Sequence, residues 1–106
     1  MKFGLLDADL SEILSVLQRF PEIREAKIFG SRAKGNHHSG SDVDLALVGE
    51  QINLDVVAKV HFILEEQSKM PYLFDVVDYT HLTAGALREH IDRVGVMIFR
   101  QSCSKN

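Results

Sequence analysis

The segment that determines the fold is residues 27–48, which read KIFGSRAKGNHHSGSDVDLALV. It begins with a short run that predicts a strand, and Gly30-Ser31 follows that run directly. From Asp42 to Val48 the segment alternates buried-type and other side chains, and this period of two predicts a second strand. Two strands, joined by a glycine turn and a polar loop, therefore form the centre of the predicted domain.

Helices and two further strands are predicted on either side of this centre. Apolar residues at helical spacing predict helices over Asp7–Phe20, Asn53–Ser68 and Ala84–Val94, and a short helix is predicted to begin at Ser31. Apolar and β-branched runs predict strands over Leu73–Val77 and, as a last short element, Val96–Phe99. The predicted order is α-β-α-β-α-β-α, followed by that last strand. Such alternation predicts an α/β (α+β) domain in which helices pack on a small mixed sheet.

Several polar residues have predicted roles in the helices. Asp9 and Asn53 carry short acceptor side chains that can cap the starts of two helices by accepting hydrogen bonds from free amides. Gly95 is predicted to end the last helix. Arg88 and Arg93 are predicted to be exposed charges on that helix.

Length, charge and composition limit the classes of protein that this chain can represent. Its 106 residues predict one domain over residues 1–100, followed by a loose tail over residues 101–106. The formal net charge of −3 argues against general nucleic-acid binding, which needs a basic face. No apolar run approaches the ~20 residues of a membrane span. A single cysteine, Cys103, fits a reducing compartment, so a cytoplasmic protein without direct nucleic-acid or membrane contact is expected.

Three acidic residues are the candidate metal ligands. Asp42 and Asp44 are separated by one residue on a predicted strand, so their side chains share a face and lie about 6.6 Å apart along the chain. Asp75 lies within an apolar strand, where an ionised carboxylate is costly unless it is paired or binds a metal. Like charges about 4 Å apart repel by about 4 kcal/mol at an effective dielectric of about 20, so three gathered acids indicate cations. Mg²⁺ suits such oxygen ligands in combination with phosphates.

The Gly30-Ser31 pair is the second half of the candidate site. Glycine lets a ligand approach the backbone, and the free N–H groups of a short helix from Ser31 would face a phosphate. Arg32 or Lys34 can add positive charge. Each half has a simpler alternative: an ordinary strand-to-helix turn for the glycine pair, and solvated acids on an exposed face for the strand. Asp78 lies at the strand end, three positions after Asp75, so its side chain is expected on the other face of the strand. We interpret it as a solvated or turn residue.

Taken together, Phe29-Gly30-Ser31 and Asp42-Val43-Asp44-Leu45 resemble the signature of the DNA polymerase β-type nucleotidyltransferase superfamily. The fuller strings GSRAKG (residues 30–35) and SDVDL (residues 41–45) resemble its minimal nucleotidyltransferase branch, the MntA-like antitoxins. The resemblance extends over nearly the whole chain, as far as FDVVD at residues 74–78. It implies a polymerase β-like nucleotidyltransferase fold.

The resemblance implies Mg²⁺-dependent transfer of a nucleoside monophosphate, with AMP from ATP as the expected case. Asp42, Asp44 and Asp75 would be the catalytic residues and would bind two Mg²⁺ ions, and Asp75 would also help to activate the attacking hydroxyl. The residues expected to hold the nucleotide are Gly30, Ser31, Arg32, Lys34 and Ser41. Pyrophosphate would leave, and the protein would act by positioning and charge neutralisation.

The resemblance also implies a partner. Minimal members are commonly encoded beside a HEPN-domain protein, often a toxic ribonuclease, and the antitoxin transfers AMP to a tyrosine of that toxin. Larger members hold the acceptor in a second domain, for which 106 residues leave no room, so a partner chain is expected to bind the acceptor or to be the acceptor. Two alternatives stay open: an antitoxin that inhibits by binding alone, and a subunit of an enzyme that modifies a small molecule such as an aminoglycoside.

Overall fold

Helices and strands alternate along the chain, of which this computed structural model describes residues 3–35, 42–68 and 70–101. The elements are α1 (Asp7–Gln18), β1 (Glu25–Phe29), α2 (Gly30–Lys34), β2 (Val43–Val48), α3 (Leu54–Phe62), β3 (Phe74–Asp78), α4 (Gly85–Val94) and β4 (Val96–Arg100). One π-helical turn, Ile63–Gln67, continues α3. The predicted fold class and the predicted order of elements are confirmed, with β4 as the last strand.

The four strands form one mixed sheet in the order β3-β2-β1-β4. β2 runs parallel to β3 and antiparallel to β1, and β4 runs antiparallel to β1. In this register Asp44 lies opposite Phe29 on one neighbouring strand and opposite Asp75 on the other. The C-terminal end of β1 and the N-terminal ends of β2 and β3 therefore meet at one end of the sheet.

The larger core lies between one face of the sheet and the helices α1 and α3. Val43, Leu45 and Leu47 point into it from β2, as the alternation in the sequence predicts, and each has 0% exposure. The helices and the π turn bury Ile13, Val16, Leu17, Val56, Val60 and Leu64 in the same core. Full burial of an aliphatic side chain stabilises the fold by roughly 1.5–3 kcal/mol, so this core holds β2 firmly at the centre.

The opposite face of the sheet carries a smaller core under α4. Phe29, Ala46 and Ile91 are its buried members, and Ala46 is fully inaccessible to solvent. The alternation along β2 places Ala46 on the same face as Asp44. Since α4 covers this face at Ala46, Asp44 lies at the end of the strand beyond that core and stays partly accessible.

The two predicted helix caps have different outcomes. Asn53 caps α3 as predicted, because its side-chain oxygen accepts a hydrogen bond from the amide of Val56 at 2.9 Å. The prediction that Asp9 caps α1 is wrong, because the helix already begins at Asp7. The Asp9 carboxylate instead accepts a hydrogen bond from the Tyr72 hydroxyl at 2.8 Å. A partner 63 residues away therefore determines the role of this side chain.

The helix predicted over residues 53–68 is divided into two parts. It keeps α-helical geometry as far as Phe62 and then widens into the π turn, in which the Ser68 N–H donates to the Ile63 carbonyl at 3.0 Å. The Ser68 hydroxyl also donates to the carbonyl of Leu64. Side-chain bonds of this kind compete with the regular helix, and apolar spacing alone does not reveal them.

Two residues fix the position of α4. Gly95 ends the helix as predicted, with an extended backbone (φ −67°, ψ 141°) rather than a left-handed one. A Cβ there would lie 2.5 Å from the Ile91 carbonyl oxygen, so glycine is needed for space. The prediction that Arg88 is an exposed charge is wrong, because it donates to three backbone carbonyls of residues 79–82 at 2.8–3.2 Å. Arg88 thereby holds the loop after β3 against α4.

Some residues named in the sequence analysis, including Ser41, Cys103 and the tail from residue 102, lie outside the described residues. Gln101 is the last described residue, and its backbone N–H donates to the Arg24 carbonyl at 2.7 Å. No helix within the described ranges is long and apolar enough to cross a membrane.

Candidate active site

One end of the sheet gathers the residues that the sequence singles out. Asp44 lies on β2 between Phe29 of β1 and Asp75 of β3, its direct partners in the register. Gly30 follows Phe29 immediately. Asp42 lies just before β2, two positions from Asp44 and therefore on the same face of the sheet. The structure therefore brings the glycine turn and the three acidic residues to the same end of the sheet.

The turn at Gly30 is shaped around Asp44. Gly30 has a φ of +75°, in the left-handed region that residues other than glycine rarely adopt. A Cβ at this position would lie 2.1 Å from Oδ2 of Asp44, far inside contact distance. The carboxylate thus occupies the space that a side chain would fill. Glycine is required here both by the backbone conformation and by the neighbouring acid.

The carboxyl group of Asp44 is half-buried and lies among like charges. Burial is the largest influence on its pKa, the negative charges of Asp75 and Asp42 act in the same direction, and the positive charge of Arg32 opposes them. Together these influences raise the pKa of Asp44 from 3.8 to about 6. Ionising this acid is therefore unfavourable unless a cation offsets the negative charges gathered around it.

The acids suit a hard cation that also binds phosphate. Mg²⁺ takes oxygen ligands and usually combines one or two carboxylates with phosphate oxygens and water. Asp42 and Asp75 are exposed and Asp44 is half-buried, so the three acids form an open surface rather than an enclosed cavity. Within the described ranges, no group of three or more histidine, cysteine, aspartate or glutamate side chains is placed so that it could hold a metal ion by itself. The three acids therefore fit a cation only together with ligands from elsewhere, such as the phosphates of a substrate.

The short helix α2 begins directly at the glycine turn. Its N-cap residue, Phe29, has no polar side chain, so it leaves the leading N–H groups of the helix without a side-chain cap. Ser31 is half-buried and Lys34 is exposed on this helix, which ends at Gly35 with a φ of 82°. The hydroxyl, the ammonium group and the leading amides are thus hydrogen-bond donors on the short helix that begins beside Asp44.

Arg32, predicted to bind the nucleotide, points into the protein. Its side chain is 2% exposed, and Nη1 donates to the backbone carbonyl of Phe3 at 2.7 Å. The guanidinium lies 5.1 Å from the centre of the Tyr72 ring, and Tyr72 in turn donates to Asp9. Burial and this bond to Asp9 raise the pKa of Tyr72, so its hydroxyl stays protonated. The sequence gives no signal for this cluster, because its members lie far apart along the chain.

Asp78 is the last residue of β3, so its interpretation as a turn residue is wrong, although it bonds to the turn that follows the strand. Its carboxylate accepts a hydrogen bond from the His81 backbone amide at 3.2 Å. The other carboxylate oxygen lies 2.8 Å from Nδ1 of the same histidine. Asp78 is therefore engaged locally and does not join the three acids at the opposite end of β3.

The described surface also carries two grooves apart from the acids. The larger has a volume of about 390 Å³, lies at the outer edge of β3, and is termed the β3 groove. Its lining residues are Leu54, Val57, Val76, Val77, Asp78, His81, Leu82 and Thr83. The smaller, of about 230 Å³, lies beside β4. Neither groove includes any of the three acids, although the β3 groove lies along the strand that carries Asp75.

Comparisons with known proteins agree with this geometry. Residues 11–104 match the family described as Polymerase beta, Nucleotidyltransferase. A curated protein of Haemophilus influenzae (strain Rd), named "Probable protein adenylyltransferase MntA", is 33% identical over an alignment of 93 residues that covers 85% of this chain and 78% of that protein.

Solved structures share the fold. A toxin–antitoxin structure with AMP-PNP matches with a TM-score of 0.71 at 18% identity, over 92% of this chain and 75% of that chain. A Shewanella oneidensis complex of a tri-AMPylated HEPN toxin with its MNT antitoxin matches with a TM-score of 0.67 at 16% identity, over 89% of this chain and 71% of that chain. At these identities the two structures demonstrate a common fold.

Proposed function

Because this chain belongs to the Polymerase beta, Nucleotidyltransferase family, we propose that it transfers AMP from ATP to a hydroxyl group of a partner protein. The observation that carries the proposal is the position of Asp44, between the Gly30 turn and Asp75 at the open end of the sheet. The name of the Haemophilus influenzae relative supports protein adenylylation. The AMPylated toxin in the Shewanella oneidensis complex supports a HEPN-domain protein as the acceptor.

The triphosphate of ATP would lie at the start of α2. The leading amides of that helix, the Ser31 hydroxyl and the Lys34 ammonium are the donors available there. A helix N-terminus carries partial positive charge, which favours phosphate. The left-handed turn at Gly30 keeps these donors next to Asp44. This one residue therefore positions the phosphate donors relative to the acids.

The reaction would be an in-line displacement at the α-phosphorus of ATP. The acceptor oxygen forms the new P–O bond, the bond to pyrophosphate breaks, and the hydroxyl proton passes to the carboxylate of Asp75. Asp75 suits this role because it is exposed on an edge strand, directly beside Asp44. Two Mg²⁺ ions, held by Asp42, Asp44 and Asp75 together with phosphate oxygens of ATP, would neutralise phosphate charge and favour loss of the hydroxyl proton.

The test is mass spectrometry of the partner protein that co-purifies with this chain from its native cells. The wild type is compared with the Asp42→Asn, Asp44→Asn double variant. Glu12→Gln is the matched control, because it removes an exposed negative charge on α1, away from the site. We expect the partner to carry the added mass of AMP with the wild type and with Glu12→Gln, and to be unmodified with the double variant.

The other outcomes distinguish the alternative functions. A partner that binds the wild type and the double variant equally, and is modified by neither, would contradict the proposal and indicate inhibition by binding alone. Transfer of AMP to an aminoglycoside, with no modification of any co-purifying protein, would indicate a small-molecule enzyme.

A further inference from the structure

β3 is an edge strand with part of its backbone open. It is the outermost strand of the order β3-β2-β1-β4, and it carries Asp75. The backbone groups of Leu73 and Tyr79 bond to β2, each at 2.9 Å. Because alternate residues of a parallel strand bond to the same neighbour, the odd-numbered residues of this segment face β2. Val76 therefore directs its N–H and C=O toward the outer edge.

This edge is covered at its beginning and open further along. The outward N–H of Phe74 donates to Oε2 of Glu65 on the π turn at 2.6 Å, in agreement with the alternation. From Val76 onward the edge opens into the β3 groove, between Leu54 of α3 and Leu82 of the following loop. Leu54 is 83% exposed, so its side chain at the rim of the groove is accessible to another chain.

We propose that the acceptor segment of the partner protein binds as an extended strand along this open edge of β3. Its hydroxyl residue lies beside Asp75, and a neighbouring apolar side chain enters the β3 groove. This inference rests on the proposed function, because only a protein acceptor supplies such a segment. Open edge strands are templates for pairing with another chain, in which main-chain hydrogen bonds give affinity and pockets give specificity.

The geometry of the sheet sets the spacing within the acceptor segment. Paired residues on neighbouring strands share a face, and Asp75 and Val77 lie on the same face, about 6.6 Å apart. A hydroxyl residue opposite Asp75 thus places the residue two positions away opposite Val77, which lines the β3 groove. The charged residues of β3, Asp75 and Asp78, are both acidic. The occupant is therefore a neutral or basic segment with an apolar residue two positions from the hydroxyl.

The test measures the steady-state kinetics of AMP transfer to the full-length co-purifying partner at saturating ATP. Leu54→Asp places a charge at the groove, and Phe62→Asp is its matched control on the same helix, outside the groove and also exposed. Val76→Pro removes the outward N–H, at an edge position where proline is tolerated. We expect the KM for the partner to rise about tenfold or more with Leu54→Asp and Val76→Pro, and to stay unchanged with Phe62→Asp. The affinity for ATP should be unchanged in all three.

The outcomes separate this inference from the function on which it rests. An unchanged KM with Leu54→Asp overturns the inference while AMP transfer by the wild type still supports the proposed function, and this holds even if Val76→Pro does not fold. Absence of transfer by the wild type overturns the proposed function itself. A change in the oligomeric state of the isolated chain with Leu54→Asp assigns the edge to a second copy and also overturns the inference.

Discussion

Oδ2 of Asp44 lies 2.1 Å from the point where a side chain at Gly30 would begin. The turn and the carboxylate therefore interlock, because any side chain at residue 30 would have to displace the Asp44 carboxylate. Gly35 provides a comparison, because its φ is also positive (+82°) but, chain neighbours aside, no atom of the described residues lies within 4 Å of its Cβ position. The two glycines share the same backbone requirement and differ in what surrounds them.

Gly30→Ala should reduce both stability and transfer, whereas Gly35→Ala should reduce stability alone. The left-handed backbone costs a residue with a side chain about 1–2 kcal/mol at either position. Gly30→Ala should lose more, because its methyl group must displace the Asp44 carboxylate, and AMP transfer should fall by about 10²-fold or more. Urea denaturation and initial rates of transfer measure these effects. Equal rates in the two variants would contradict the interlocked arrangement.

The raised pKa of Asp44 should make the free energy of unfolding depend on pH. Its pKa is about 6 in the folded protein and near 3.8 in the unfolded chain, so between these values the folded state holds a proton that the unfolded state releases. The free energy of unfolding should therefore decrease as the pH rises through this window and then level off. A shift of this size corresponds to about 3 kcal/mol, and partial exposure of the carboxyl group reduces the expected loss to about 1–2 kcal/mol. Denaturation in Mg²⁺-free buffer across the window measures it, with Asp44→Asn as the variant that should lack this component.

Asp44→Asn should keep the fold and abolish transfer. Without Mg²⁺ at alkaline pH, this variant should be at least as stable as the wild type, because it removes an unfavourable buried charge. Added Mg²⁺ should raise the melting temperature of the wild type and raise that of Asp44→Asn much less, since a bound cation stabilises the state that binds it. Thermal melts with and without Mg²⁺ and transfer assays test both statements. Undiminished transfer by Asp44→Asn would refute the assigned role of this residue.

Arg88 should contribute to stability far more than its neighbour on α4, Arg93. Arg88 donates to three backbone carbonyls of residues 79–82, and its guanidinium lies 4.4 Å from the centre of the Tyr79 ring. Hydrogen bonds from charged groups are each worth about 1.5–3 kcal/mol, so Arg88→Ala should lower the free energy of unfolding by at least that amount. Arg93 is exposed, and Arg93→Ala should change the free energy of unfolding by less than about 0.5 kcal/mol. Equal midpoints of urea denaturation for the two variants would argue against a stabilising role for the hydrogen bonds of Arg88.

Local chemistry accounts for the parts of the fold that the sequence predicts well. The alternation of Val43, Leu45 and Leu47 requires only that one face of a strand be buried, and the structure buries that face completely. The cap at Asn53 needs only the amide of Val56, three residues further on. Such signals lie within a few residues of one another, so they can be recognised without knowledge of the tertiary structure.

Contacts between distant segments account for the parts that the sequence does not predict. Asp9 has the chemistry of a helix cap, yet its carboxylate accepts a hydrogen bond from the hydroxyl of Tyr72. The sequence predicts a nucleotide contact for Arg32 and an exposed position for Arg88, yet each side chain donates to the backbone carbonyl of a distant residue. The placement of Asp75 beside Asp44 depends on a parallel register, which no pattern within either strand specifies.

The parallel pairing of β2 with β3 has a consequence for how the protein becomes active during synthesis. Parallel strands need a crossover connection, and here α3 and the π turn lie between the strands that carry Asp44 and Asp75. Contacts across such a connection form slowly, because a long loop must close before they can exist. We therefore expect a nascent chain to hold the Gly30 turn before it holds the full set of carboxylates. A partly folded copy would then be inactive, since it lacks the assembled acids on which the proposed transfer depends.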